Sequence, residues 1–167
     1  MEPTGGRSHV NPIDILTYGQ RTVDDLIDRL EPGDWDAIAV GTWTTKDLVG
    51  HLGAFEVRFV EILTVFLGEE PATSLNGIPV DVFNDDQAGV RRGWSVEAIV
   101  AELRDAHAEA MTLVPRIPAD RWREVGTIPW YGPEYALDDL VVYLMYGHKR
   151  EHTPQLEAVL ERTVALP

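Results

Sequence analysis

The 167-residue sequence contains no cysteine. That absence removes disulfides, thiolate nucleophiles and cysteine-ligated metal sites, and it fits a reducing compartment, so a cytoplasmic location is expected. Positive charge is also scarce. Fourteen Lys and Arg stand against 28 Asp and Glu, for a formal net charge of −14. Such a chain repels phosphate backbones and anionic bilayers, so neither nucleic acid nor a membrane surface is an expected partner. No apolar run approaches the roughly 18 residues needed to cross a bilayer. Residues Met1 to His9 lack the apolar stretch of a secretory signal, and residues 1–10 read as a short flexible tail. No convincing strand pattern and no internal repeat can be found.

What is present is helical periodicity. The length suits one domain, expected over residues 11–167, and 44% hydrophobic content is ordinary for a folded core. The first helix opens at Asn11-Pro12, a cap followed by proline at the first helical position, and Pro32-Gly33 ends it. Leu16, Gln20, Val23, Ile27 and Leu30 recur along one of its faces. A second helix starts at Thr44 or Thr45, with Asp47 in its first turn and a stripe from Leu48 to Phe66. Gly50 and Gly53 within it lower helix propensity by about 1 kcal/mol each. They imply either a close helix contact or room for a ligand. A third helix is expected in two pieces, Val80 to Arg92 and a longer one capped by Ser95. The connection from Ala119 to Glu134 is long for a compact domain and should cover something. The last helix begins near Tyr135 to Asp138, and Pro154 inside it predicts a kink just past His152. Four amphipathic helices with long connections make an all-α four-helix bundle of the expected broken third helix and three others.

The sharpest chemical signal is Tyr146-Gly147-His148-Lys149-Arg150-Glu151-His152-Thr153-Pro154. Residues four apart on a helix share one face, with side chains about 6 Å apart, so His148 and His152 can grip one ion. Both interrupt the apolar stripe of their helix. His51 falls on the apolar side of the second helix, one turn before Phe55. Buried imidazoles need partners for both ring nitrogens, and one shared cation serves all three rings. Three histidines leave an open coordination position, as catalytic rather than structural sites do. Imidazole ligands suit zinc, nickel, copper and iron. Ordinary core histidines are the alternative reading.

The stretches Gly41-Thr42-Trp43-Thr44-Thr45-Lys46-Asp47-Leu48-Val49-Gly50-His51-Leu52 and Gly147-His148-Lys149-Arg150-Glu151-His152-Thr153-Pro154-Gln155-Leu156 resemble the helix-two and last-helix signatures of the DinB superfamily. Val80-Asp81-Val82-Phe83-Asn84-Asp85 resembles a segment of the branch that includes the N-terminal part of mycothiol-dependent maleylpyruvate isomerase. The resemblance implies a DinB-type four-helix bundle holding a divalent metal, zinc or nickel, on His51, His148 and His152. It also implies a small-molecule substrate, a low-molecular-weight thiol such as mycothiol as co-substrate in a transferase-type reaction, and a homodimer. The isomerase carries a further C-terminal domain and a glutamate where this chain has one of the paired histidines. Its relative, the colibactin self-resistance protein, is a hydrolase on a similar bundle without the triad, so hydrolysis of a reactive small molecule is a second reading. A metal- or ligand-sequestering protein without turnover is a third.

Several residues could support the site. Asp47, one turn before His51, could accept its second N–H, or serve only as a first-turn acid. Glu151 could act as a base, although a Lys-Arg-Glu run more often marks a solvated face. Asn84 could bind a ligand or satisfy a helix break. Trp43, Trp130 and Tyr131 could wall a pocket. His107 reads as a boundary residue. Arg91-Arg92 beside Asp85-Asp86 could hold an anion or form a surface charge pair.

Overall fold

The computed structural model describes residues 11–69, 77 and 79–164. The expected tail at 1–10 lies outside them, as do residues 70–76. The order of elements is α1 (Pro12–Ile27), a 3-10 turn (Pro32–Asp36), β1 (Ile38–Val40), β2 (Trp43–Thr44), α2 (Thr45–Phe66), α3 (Val80–Arg91) and α4 (Val96–Leu113). The last helix, α5, has three contiguous stretches: Leu137–Leu140, a π-helical turn Val141–Tyr146, and Gly147–Val164. The architecture is an all-α bundle of α1, α2, α4 and α5. The third helix is indeed broken, into α3 and α4.

Local chemistry starts α1, α2 and α4 where the sequence marks them. Asn11 Oδ1 accepts from the Ile13 N–H at 3.1 Å ahead of Pro12. Thr44 and Asp47 form a reciprocal capping box, each side chain accepting the other's backbone N–H, at 3.1 and 2.9 Å. Ser95 accepts from Ala98 N–H. One expectation needs correction. A short antiparallel hairpin, β1 with β2, precedes α2, where no strand was expected. Gly41, at φ 55°, makes its left-handed turn. The strands escaped detection because runs of three and two residues carry no readable alternation. Pro154 lies inside the last α-helical stretch, which runs on to Val164. A further helix irregularity lies upstream of the histidine pair, in the π turn, where Gly147 N–H reaches Val142 O. Val141, Met145 and Lys149, spaced four apart, are all buried on the inner side of this helix.

Helices α2 and α4 approach closely at Gly50 and Gly53. A Cβ on Gly50 would stand 3.2 Å from Ile99 Cδ1, and one on Gly53 would stand 3.5 Å from the Leu103 backbone nitrogen. The two glycines therefore serve the helix contact rather than a ligand. The core divides into two apolar clusters. One surrounds Phe59 and Leu63 with Leu16, Ala110 and Met145; the other surrounds Leu48 and Leu52 with Val23, Leu103 and Leu156. Between them lies a polar layer with one side chain per helix: Gln20 of α1, Glu56 of α2, His107 of α4 and Lys149 of α5. Lys149, expected on a solvated face, is 2% exposed and Glu56 is fully buried. Lys149 Nζ donates to Glu56 Oε1 and, at 2.9 Å, to Gln20 Oε1. Burial alone would raise the Glu56 carboxyl, but Lys149 and His107 more than reverse this and hold it below its ordinary value.

Candidate metal centre

His51 stands on α2 one turn beyond Asp47 of the capping box. His148 and His152 stand just after the π turn of α5. The three rings meet at one point. His51 Nε2 lies 2.7 Å from His148 Nε2, which lies 3.0 Å from His152 Nε2. One ligand atom from each of the three lies within 4.8 Å of the others, the arrangement needed to hold a metal ion.

The protonation pattern favours a cation. His152 Nδ1–H donates to Gln155 Oε1 at 2.7 Å, which leaves the His152 Nε2 lone pair directed inward. His148 Nε2 then faces two other ring nitrogens and has at most one proton to share between them. A divalent ion satisfies all three lone pairs together. Burial, with the neighbouring rings opposing any added proton, lowers His51 and His148 to about 3 each. Both imidazoles are therefore neutral at pH 7, the form that ligates metal.

The centre opens into a cavity of about 570 Å³. Trp43 and Phe55 flank His51, with ring centroids 4.9 and 5.0 Å away. The β-hairpin brings Trp43 there, and Phe55 also packs against His148 at 4.5 Å. Val80 and Asn84 of α3, Trp130 of the long connection, and Leu144 and Glu151 of α5 complete much of the wall. The long connection thus does cover something.

The other sequence-based candidates divide. Asn84, Trp130 and Glu151 line the cavity, Glu151 being largely exposed. Asp47 makes its hydrogen bonds to Thr44 and closes the helix cap. Tyr131 is outside the cavity lining; it packs against Trp130 and Tyr135. Burial, then Asp139, pushes its hydroxyl up to about 12. Arg91 is buried and bonded to Glu102 and Gln87, so it is not a surface anion patch. His107 belongs to the polar layer, with Nδ1 3.6 Å from Glu56 Oε2. Sequence reasoning missed Gln155. Its signal was present: a polar side chain three residues beyond His152 on the same helix.

The family model of the DinB superfamily matches residues 15–156, a span that includes all three histidines. The chain belongs to the DinB superfamily. No curated protein and no solved structure matches it at a significant level. The all-α bundle and the histidine cluster suit a metal-binding member of the DinB superfamily.

Proposed function

We propose that this DinB-superfamily protein is a metal-dependent enzyme that activates a low-molecular-weight thiol, or water, for attack on a small electrophile. The single observation behind this reading is the triad of convergent imidazole nitrogens at the floor of a cavity large enough for a small molecule. Zinc or nickel suits an all-imidazole site. When bound, such an ion supplies Lewis acidity that brings a coordinated thiol or water to its nucleophilic form near neutral pH.

The chain's own residues supply the rest. Gln155 holds His152 in the tautomer that presents Nε2. Trp43 and Phe55 shield the His51 side from water. Glu151, on the cavity wall and one residue from His152, is placed to take the proton released by the thiol or water. The strongly acidic surface is consistent with a small-molecule substrate rather than nucleic acid or a membrane.

The test starts from protein purified without an affinity tag. About one zinc or nickel per chain is expected in wild type, and little in His148→Ala. Absence of stoichiometric metal even after soaking would sink the reading. Turnover is then screened with mycothiol, bacillithiol and glutathione against small electrophiles, and by hydrolysis of strained rings. Activity lost with any triad histidine supports catalysis. Stoichiometric metal without turnover would favour a sequestering protein, and activity in a triple-alanine variant would refute the site.

A further inference from the structure

A second cavity of about 260 Å³ adjoins the one over the triad, and Phe55, Val80 and Trp130 line both. Helix periodicity places it there. His51, Phe55 and Arg58 stand at i, i+4 and i+7 on α2, so they share one face. Seven residues of helix set Arg58 about 10 Å along the axis from His51. The walls of the second cavity are mainly apolar, with Phe83 of α3 edge-on to Phe55 at 5.2 Å. Its polar side chains are Arg58, Glu61 and Gln87.

Among the described residues lining the two cavities, Arg58 is the sole lysine or arginine. Its Nη1 donates to Glu61 Oε2 at 2.8 Å. Nε and Nη2 take no partner among the described residues, and neither is a buried unpaired atom. Those donors are therefore accessible, on a side chain that is 19% exposed. Glu61 is 51% exposed. An ion pair with one half-solvated member contributes little, so Glu61 offsets the guanidinium only in part. Gln87 adds a second donor. Its Oε1 accepts from Arg91 Nη1 at 2.7 Å, which fixes the amide and leaves the Nε2 hydrogens for a ligand.

An open guanidinium edge matches the two oxygens of a carboxylate. The chain's net charge of −14 gives no general attraction for anions, so a carboxylate is held here by this fork itself. We infer that the adjoining cavity anchors a carboxylate of one reactant, at Arg58 with the Gln87 amide, while the apolar middle of that molecule lies along Phe55 and Phe83. This rests on the metal-enzyme reading above and deepens it by naming a chemical group of the substrate. The ligand class is a small monoanion whose charge stands about 10 Å from its reacting atom, the helical rise between Arg58 and His51.

The test uses full-length, zinc-loaded protein, with zinc measured on the same samples. The probes are 3-phenylpropionate and 3-phenylpropanamide, which share a ring and chain and differ in charge. Calorimetry at pH 7 is expected to show the acid binding at least about tenfold tighter, the scale of one charge-assisted hydrogen bond. Arg58→Gln should abolish that preference with zinc content unchanged. Glu61→Gln removes the competing carboxylate and should strengthen the acid about threefold while leaving the amide unaffected, a gain that damage to the fold does not produce. An acid preference that survives Arg58→Gln puts the carboxylate elsewhere, on the zinc for instance, and overturns the inference. Equal binding of acid and amide by wild type, or no binding of either, overturns it too. Each of these results leaves the metal reading standing. Wild type that holds no zinc removes the metal reading, while the acid-to-amide ratio still reports on Arg58.

Discussion

Gln155 is the residue that turns three nearby histidines into a prepared site. Its side-chain oxygen accepts the His152 Nδ1 proton and so fixes which nitrogen faces the centre. A partner of this kind contributes through the ligand it orients, and losing it typically lowers metal affinity about 10- to 100-fold. Gln155→Leu should show that loss in a competition titration with a zinc chelator, with the helical spectrum unchanged. Affinity equal to wild type would show that His152 needs no orienting partner. At this scale the sequence was partly legible. The His148–His152 spacing announced a shared face, whereas the role of Gln155 depended on a rotamer that no spacing specifies. Asp47 illustrates the converse. Its position one turn before His51 fits two roles, and the fold uses it to cap α2.

Among the elements, α5 carries the most information. Its π turn precedes the histidines, and its buried Lys149 points into the layer with Glu56 and Gln20 rather than lining the cavity. A buried ion pair is a weak source of net stability, but removing one partner strands the other charge at a cost of about 3–5 kcal/mol. Lys149→Met should therefore lower unfolding free energy by about that amount in chemical denaturation. The double variant Glu56→Leu/Lys149→Met should recover most of it, since both charges are gone. A double variant no more stable than the single would show that the layer is not an electrostatic pair. The sequence hid this layer because Lys149 sits in Lys149-Arg150-Glu151, a run that resembles solvated surface. Only Arg150 and Glu151 of that run are exposed.

For the whole molecule, pH acts through groups whose protonation differs between the folded and unfolded chain. His51 and His148 have folded values near 3 against 6.5 for the unfolded chain. Between those limits the unfolded state binds more protons, so stability rises with pH. The contribution is full above about 6.5 and is lost as pH falls toward 3. Glu56, also lowered on folding, acts in the same direction below its ordinary value of 4.5. Metal-free protein should therefore melt at progressively lower temperature from pH 6.5 down to 4.5, a window in which the two histidines act before Glu56 does. Each histidine approaches about 1.4 kcal/mol per pH unit. The slope should shrink in His51→Ala/His148→Ala; an unchanged slope would place the proton uptake elsewhere. No helix among the described residues is long and apolar enough to cross a membrane.

Helix starts were readable from the chain alone because caps are local: Asn11-Pro12, Thr44 with Asp47, and Ser95 act over three or four residues. The break between α3 and α4 was readable for the same reason, as was the face shared by His148 and His152. The hairpin that delivers Trp43 to His51 was not, because its strands are too short to carry a period and are held by tertiary bonds. One such bond runs from Arg162 Nη2 on α5 to Ile38 O at 2.8 Å. The convergence of His51 with His148, 97 residues away, and with its partner His152 also required the packed bundle. Sequence periodicity determines which side of a helix is buried. It does not determine which neighbour that side meets, and that choice separates Lys149 in the polar layer from His148 at the metal centre.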